Sequence, residues 1–239
     1  ITSPFLIPAA PAPPSGATFD CQPGERWLYH MPSEILGVLI ARVAGSSLGT
    51  FMAERIFGPL GMSDTGFRVP PEHLDRLPTC YATDMTSGKR VVAYDAGSGY
   101  AARPVPFESG AGGLVSTADD LLAFGRMMLR QGTRILSRAS IELMTTDHLT
   151  PAQKAASPFF PDFWGSRGWG LGMGIITARR DIADAPGRFG WDGAFGTSWY
   201  VDPREELVGI LMTQRTPERL ALSPLNLDFW TSAYQLIDD

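Results

Sequence analysis

Lysine is the scarcest charged residue of this sequence, with only Lys89 and Lys154 among its 20 basic residues. The other basic residues are arginines, and they are scattered along the chain rather than clustered. The formal net charge is -5, whereas a nucleic-acid-binding surface concentrates positive charge. We therefore expect no nucleic-acid partner.

Cysteine and histidine are also rare. Cys21 and Cys80 lie far apart with no Cys-x-x-Cys pattern, so we expect ordinary thiols, with a disulfide between them as the alternative. His30, His73 and His148 are at least 40 positions apart and form none of the closely spaced pairs that bind zinc. We expect no metal.

Long apolar runs and familiar cofactor motifs are missing as well. No segment approaches the roughly 18 apolar residues of a membrane span, and the proline-rich start does not resemble a signal peptide. We expect a soluble protein without a membrane partner, its compartment left open. The glycine run at residues 168–174 is followed by strand-like sequence, whereas a nucleotide fingerprint needs a helix there. We expect no cofactor.

The pattern of the chain predicts an α+β fold in three parts. Residues 1–21 are rich in Pro, Ala, Gly and Ser, which is typical of a linker or arm. Residues 22–163 are mostly helical, with a hairpin between about 79 and 94. Residues 164–239 predict an antiparallel sheet with strands at 168–177, 196–201 and 207–213, followed by a terminal helix from about 224.

The sequence contains two notable glycine-rich segments. In GWDGAFGT at residues 190–197, Gly193 and Gly196 bare the backbone while Trp191 and Phe195 supply bulky walls. This arrangement can line a pocket with N–H groups, although glycines that only relieve crowding would look the same. The segment at 109–120 enters a helix that we expect to run to about residue 131 and to stop at Gly132.

Several motifs, in a fixed order, resemble one enzyme family. They are PGERWLY at 23–29, ILG at 35–37, FGPLGMSDTGF at 57–67 and SGAGGLVSTADD at 109–120, together with the segment at 190–197. The chain resembles, from about residue 22 to its end, the serine hydrolases of class C β-lactamase type. That family includes esterases, DD-peptidases and acyltransferases, and the resemblance implies a β-lactamase/transpeptidase-like fold.

The resemblance assigns roles to particular residues. Tyr29 matches the family's tyrosine, which acts as base and acid, while its alternative is an aromatic core residue. Met31 stands where β-lactamases carry asparagine, as in the esterase-like branch. Trp191 begins the third motif in its tryptophan form, and the N–H of Ala194 falls where the family's oxyanion hole lies. The expected pocket residues are Trp191, Asp192, Gly193, Phe195 and Gly112.

The family's first motif, Ser-x-x-Lys, is missing, because Thr86 and Pro151 stand three positions before the two lysines. The chain therefore resembles the C-terminal part of such an enzyme, and we expect the N-terminal strands and nucleophile helix to be absent. Sheet edge and apolar surface would then be bare, unless a companion N-terminal segment, self-association or a longer native protein covers them.

The implied function is acyl-enzyme hydrolysis of a small ester or amide, a small-molecule substrate. The alternative is a non-catalytic binding or vestigial domain on the same scaffold. The tyrosine and the glycine-rich segment favour the enzyme, whereas the missing Ser-x-x-Lys favours the alternative.

Overall fold

The structure is a computed structural model, which describes residues 21–130, 135–217 and 223–238. The helices are α1 (Met31–Ala44), α2 (Leu48–Met52), α3 (Gly58–Leu60), α4 (Ala118–Leu129), α5 (Arg138–Met144), α6 (Pro151–Ala155) and α7 (Pro224–Gln235). A π-helical segment, Ala53–Phe57, joins α2 to α3, and single 3-10 turns occur at Pro71–Arg76, Tyr100–Ala102 and Phe163–Gly165. The arm predicted over residues 1–21 lies outside the described residues except for Cys21, and the predicted division of the chain into parts stays a prediction.

The strands form two antiparallel sheets. They are β1 (Cys80–Thr83), β2 (Arg90–Tyr94), β3 (Arg167–Trp169), β4 (Gly174–Ile176), β5 (Phe189–Asp192), β6 (Ser198–Asp202) and β7 (Leu207–Leu211). The first two pair as the predicted hairpin, and the other five form one sheet in sequence order. Together with the C-terminal helix α7, they make up the α+β fold that the sequence predicts.

The predicted strand at residues 168–177 is wrong as a single element. It is a hairpin of β3 and β4, closed by a turn in which the Gly170 N–H donates to the Met173 carbonyl at 2.9 Å. Gly172 has a φ of +95° within this turn, a conformation that side chains disfavour. The helix predicted to reach residue 131 ends at Leu129 as α4, and its predicted stop at Gly132 lies outside the described residues.

The five-stranded sheet packs against helices on both faces. Side chains alternate between the faces along each strand, so Trp191 shares one face with Trp199 opposite, while Asp192 shares the other with Ser198. The first face packs against α4 and α5 in a buried core of Met127, Met128, Ile141, Met173, Ile175, Phe189 and Val201. The second face packs against α7 around Ala183, Ala185, Tyr200, Trp230 and Tyr234.

Helix α1 carries a broad apolar surface that the described residues do not cover. Gly37 is its only buried residue, and the exposed large apolar side chains are Met31, Ile35, Leu36, Leu39 and Val43. No described strand pairs with the outer edges of β3 and β7. Within the described ranges no single helix has the length and apolarity to cross a membrane; α1 and Leu48–Leu60, bent by 78°, meet that test of length and composition only as a pair.

Candidate active site

The fold brings Tyr29 and Trp191 into direct contact. The indole Nε1–H of Trp191 donates a hydrogen bond to the phenol oxygen of Tyr29 at 2.8 Å, across 162 positions of sequence. The ring centroids are 5.5 Å apart, and Tyr29 is 42% exposed. The phenol oxygen is therefore held by one donor on a ring that stays accessible.

A tight turn fixes Tyr29 at the start of α1. The next residue, His30, has φ 75° and ψ -65°, and the Met31 N–H donates to the Tyr29 carbonyl at 3.0 Å. This is a γ-turn, which a residue other than glycine adopts at a cost and only where the surroundings hold it. Strain of this kind is typical of functional sites.

Six further aromatic side chains surround the contact. Together with Tyr29 and Trp191 they form what we call the aromatic cluster: Trp27, Tyr29, Phe159, Phe160, Phe163, Trp164, Trp169 and Trp191. Phe159 lies 5.1 Å from the ring of Tyr29 and 6.1 Å from that of Trp191. Trp169 packs edge-on against Trp191 at 4.7 Å. Sequence reasoning missed this cluster, although five aromatics within residues 159–169 are a readable signal.

Three cations near the cluster are paired with aspartates. Lys154 lies over the Trp164 ring and donates to Asp147 at 2.5 Å. Arg167 lies 5.9 Å from the Phe163 ring centroid. The other two pairs are Arg167 with Asp184, at 3.9 Å, and Arg180 with Asp162.

The pKa values of Asp147 and Asp184 are shifted in opposite directions. Burial raises the pKa of Asp147, but the hydrogen bond from Lys154 and the backbone N–H groups of Trp169 and Leu149 outweigh it, so the net pKa is below its ordinary value. For Asp184, burial is the largest cause and raises the pKa despite the charge of Arg167. Asp147 thus links Lys154 to β3, the strand that carries Trp169 of the aromatic cluster.

The segment after Trp191 is a hairpin loop rather than the start of the predicted strand at 196–201. Strand β5 ends at Asp192 and β6 begins at Ser198. The Gly193 N–H donates to the Thr197 carbonyl at 2.7 Å, and the Gly196 N–H donates to the Gly193 carbonyl at 3.0 Å. Gly196 has a φ of +77°, and a Cβ there would lie 2.2 Å from the Arg215 carbonyl oxygen, which is why the loop needs glycine.

Within this loop Ala194 is exposed, and its N–H has no acceptor among the described residues. Phe195 is 36% exposed and packs on the Tyr94 ring at 5.9 Å. The Thr213 hydroxyl donates to the Phe195 carbonyl at 3.1 Å. The loop thus presents the free backbone N–H of Ala194 beside an anchored aromatic side chain, and the oxyanion role of this N–H stays a prediction.

The side chain of Asp192 does not join Tyr29, since it points to the opposite face of the sheet. Its carboxylate accepts hydrogen bonds from Ser198 Oγ at 2.6 Å, from Asn226 Nδ2 at 3.1 Å and from the Tyr200 hydroxyl at 2.8 Å. Burial raises the pKa of the Tyr200 phenol well above its ordinary value, with the Asp192 charge adding to the effect. The Asp192 side chain therefore does not face Tyr29. The expected place of Asp192 in the pocket stays a prediction, and it concerns only the backbone of this residue.

Gly112 lies exposed in the loop before α4. Its N–H donates to Ser109 Oγ at 3.0 Å, and the Ser109 hydroxyl donates to the Glu34 carboxylate of α1 at 2.6 Å. No hydrogen bond among the described residues joins Gly112 to Tyr29 or Trp191. The structure anchors this loop on α1, and its place in the pocket stays a prediction.

No cluster of three or more histidine, cysteine, aspartate or glutamate side chains in the described ranges could hold a metal ion. Cys21 and Cys80 are both free thiols, so the alternative of a disulfide between them is wrong. Burial raises the pKa of the Cys80 thiol.

Comparison with known proteins gives the family. The family model described as Beta-lactamase matches residues 10–227. Protein Rv1367c of Mycobacterium tuberculosis is 38% identical over 206 residues, which cover 82% of this chain and 51% of that protein. Lovastatin esterase of Penicillium rubens is 29% identical over 206 residues, covering 79% and 50% respectively.

A solved structure has the same fold. The LovD9 mutant of simvastatin synthase from Aspergillus terreus superimposes with a TM-score of 0.72 at 22% identity, covering 89% of this chain and 56% of that one. The chain thus spans about half the length of the relatives it matches. Because the family model matches most of the sequence, the chain belongs to the beta-lactamase family.

Proposed function

We propose that this chain supplies the base and the oxyanion donor of an esterase-type serine hydrolase that acts on a small ester or amide. Tyr29 takes the proton of a serine hydroxyl as its oxygen attacks the substrate carbonyl carbon, and returns that proton to the leaving alcohol or amine. The Ala194 N–H donates to the carbonyl oxygen as negative charge develops there. Water then hydrolyses the acyl-enzyme by the same proton path.

The hydrogen bond from Trp191 to Tyr29 is the observation that carries this proposal. Tyr29 lies outside both buried cores and is 42% exposed, so core packing does not explain its position. Here an indole N–H from β5 holds the phenol oxygen at 2.8 Å, and the free N–H of Ala194 follows three positions after Trp191. A base held by a residue of β5 and an oxyanion donor in the loop that follows β5 support acyl transfer.

The nucleophilic serine and its lysine are proposed to come from polypeptide outside these 239 residues. The sequence has no Ser-x-x-Lys, and the relatives are about twice as long as the matched region. The uncovered apolar face of α1 begins two residues after Tyr29. A segment packed on that face would bring its side chains next to the phenol while burying apolar surface.

The experiment is labelling of the complete protein with a fluorophosphonate, followed by mapping of the modified peptide by mass spectrometry. We expect the adduct on a serine outside the 239 residues, and slower labelling in Tyr29→Phe than in the unmodified protein. The matched control is Tyr234→Phe, which removes a phenol hydroxyl on the α7 face of the sheet.

Three outcomes would count against the proposal in different ways. An adduct on a serine inside the chain would contradict the external nucleophile. Labelling that is equally fast in Tyr29→Phe would contradict the base. A complete protein with neither adduct nor ester turnover would favour the non-catalytic binding domain.

A further inference from the structure

The surface beside Tyr29 is aromatic, and the two cations that lie over its rings, Lys154 and Arg167, are each paired with an aspartate. We infer that the substrate carries an uncharged, bulky, aromatic or similarly flat apolar group next to its carbonyl, and that anionic substrates are excluded. This inference rests on the proposed function, since it names the substrate class of the same site. Phe159 and Trp169 are the residues that would determine this specificity.

The shape of the aromatic cluster supports a flat apolar group. Its rings come from four separate segments: the approach to α1, the residues before β3, β3 itself and β5. Trp27, Phe159 and Trp169 are only partly buried. The ring centroid of Trp27 nevertheless lies 5.0 Å from that of Phe159 and 4.8 Å from that of Trp169. Partly exposed aromatic side chains in one patch bury the most apolar surface when another ring packs on them.

The charges around the cluster argue against an anion. Lys154 and Arg167 face the cluster through Trp164 and Phe163, but both are held by aspartates. Their side chains are only 18% and 15% exposed. A substrate carboxylate would have to displace Asp147 or Asp184 from its partner, which would leave a charge without compensation.

The same pairing argues against a cationic substrate. Each carboxylate beside the cluster is matched by its own lysine or arginine, so an ammonium group would find ring faces but no free anion. Most ring pairs here pack edge to face, which uses up part of the face area that a cation would need. A neutral group is the one whose binding leaves no charged group without water or a partner.

The experiment measures binding rather than turnover, using isothermal titration of the complete protein with three naphthalene probes. They are 2-acetonaphthone, a neutral ketone that cannot be hydrolysed, 2-naphthoate, and 2-naphthyl-trimethylammonium. We expect the ketone to bind at least about tenfold more tightly than either charged probe. Tighter binding of 2-naphthoate or of the ammonium probe, or no binding of the ketone, would overturn the inference.

Two variants locate the effect on the cluster. Phe159→Ala should weaken binding of 2-acetonaphthone about tenfold, and Phe159→Leu, which keeps apolar volume if the alanine variant does not fold, should weaken it less. The control is Phe229→Ala, which removes the same ring from α7 on the other side of the sheet and should leave binding unchanged. Equal effects of Phe159→Ala and Phe229→Ala would contradict a site at the cluster.

A gain of function gives the sharpest test. Asp147→Asn keeps an acceptor for the Trp169 N–H but releases the charge of Lys154 beside the rings. We expect it to tighten binding of 2-naphthoate severalfold while leaving the ketone unaffected; no change for 2-naphthoate would contradict the role of charge pairing. Because binding is read without turnover, a protein that binds the ketone but hydrolyses no ester would refute the proposed function and not the inferred preference.

Discussion

Two consecutive residues of β5, Trp191 and Asp192, belong to opposite faces of one sheet and to different kinds of surroundings. Trp191 makes one polar contact, to Tyr29, within a partly open aromatic cluster. The Asp192 carboxylate has three hydrogen-bond donors, from β6 and α7. On the first face, part of the aromatic surface and the Tyr29 phenol oxygen stay accessible. On the second face, the Asp192 carboxylate is occupied by its three hydrogen bonds.

The α7 face also buries a cation, Arg188, whose guanidinium donates to the Ala183 carbonyl. Arg188 is 4% exposed, and its guanidinium lies 3.8 Å from the Trp230 ring centroid and 4.2 Å from that of Tyr200. Burial lowers the pKa of this arginine. Changes at Asp192 and Arg188 should therefore cost stability, whereas changes at Tyr29 and Trp191 should cost activity with little loss of stability.

Asp192→Ala should have the largest effect on this contrast. It leaves three donors without their acceptor, and buried unsatisfied groups cost about 1–3 kcal/mol each, so we expect a loss of about 3 kcal/mol in the free energy of unfolding. Urea unfolding followed by circular dichroism measures it. Asp228→Ala on the exposed side of α7 is the control, and a loss in Asp192→Ala no larger than in that control would show that the network does not stabilise the fold.

Tyr29→Phe should show the reverse pattern in the complete protein. We expect ester turnover to fall by about 100-fold or more, the scale of a lost general base, with the free energy of unfolding changed by less than about 1 kcal/mol. Tyr234→Phe is the matched phenol on the α7 face, where it donates to Asp202 at 2.5 Å. It should lower stability and keep turnover, and similar turnover losses in both variants would abolish the contrast.

The sequence is a good guide to the Tyr29 face and a poor one to its surroundings. The motifs assign Tyr29 and Trp191 to one site, and the apolar patterns predict the sheet and α7. Strand alternation would also have placed Asp192 opposite Trp191, but the motif includes both and hides that difference. The run of aromatic residues at 159–169 is visible in the sequence, but nothing in its spacing says which residues the rings contact, so only the fold shows that they converge on Tyr29.

A pH-dependent effect should come from Asp147. Its pKa is below its ordinary value in the folded protein, so the carboxylate stabilises the fold above the unfolded pKa of about 3.9, and this contribution is lost as the pH falls through the folded pKa. We expect Asp147→Asn to be less stable than the unmodified protein by about 1 kcal/mol at pH 6, and the difference to shrink towards pH 3.

Urea unfolding at the two pH values measures that difference. Lys154→Met should remove much of the same contribution, because it deletes the partner at 2.5 Å. A difference between Asp147→Asn and the unmodified protein that grows on acidification would reverse the expected sign and refute this account.

The smallest effect is expected at Ala194, where the proposed function lies in the backbone. Ala194→Gly keeps the N–H and removes only an exposed methyl group, so turnover in the complete protein should change by less than about twofold. Ala194→Pro removes the N–H itself and should lower turnover by about 100-fold, the cost of a missing oxyanion donor. A large loss in Ala194→Gly, or equal rates in both variants with folding intact by circular dichroism, would mean that the oxyanion is bound elsewhere.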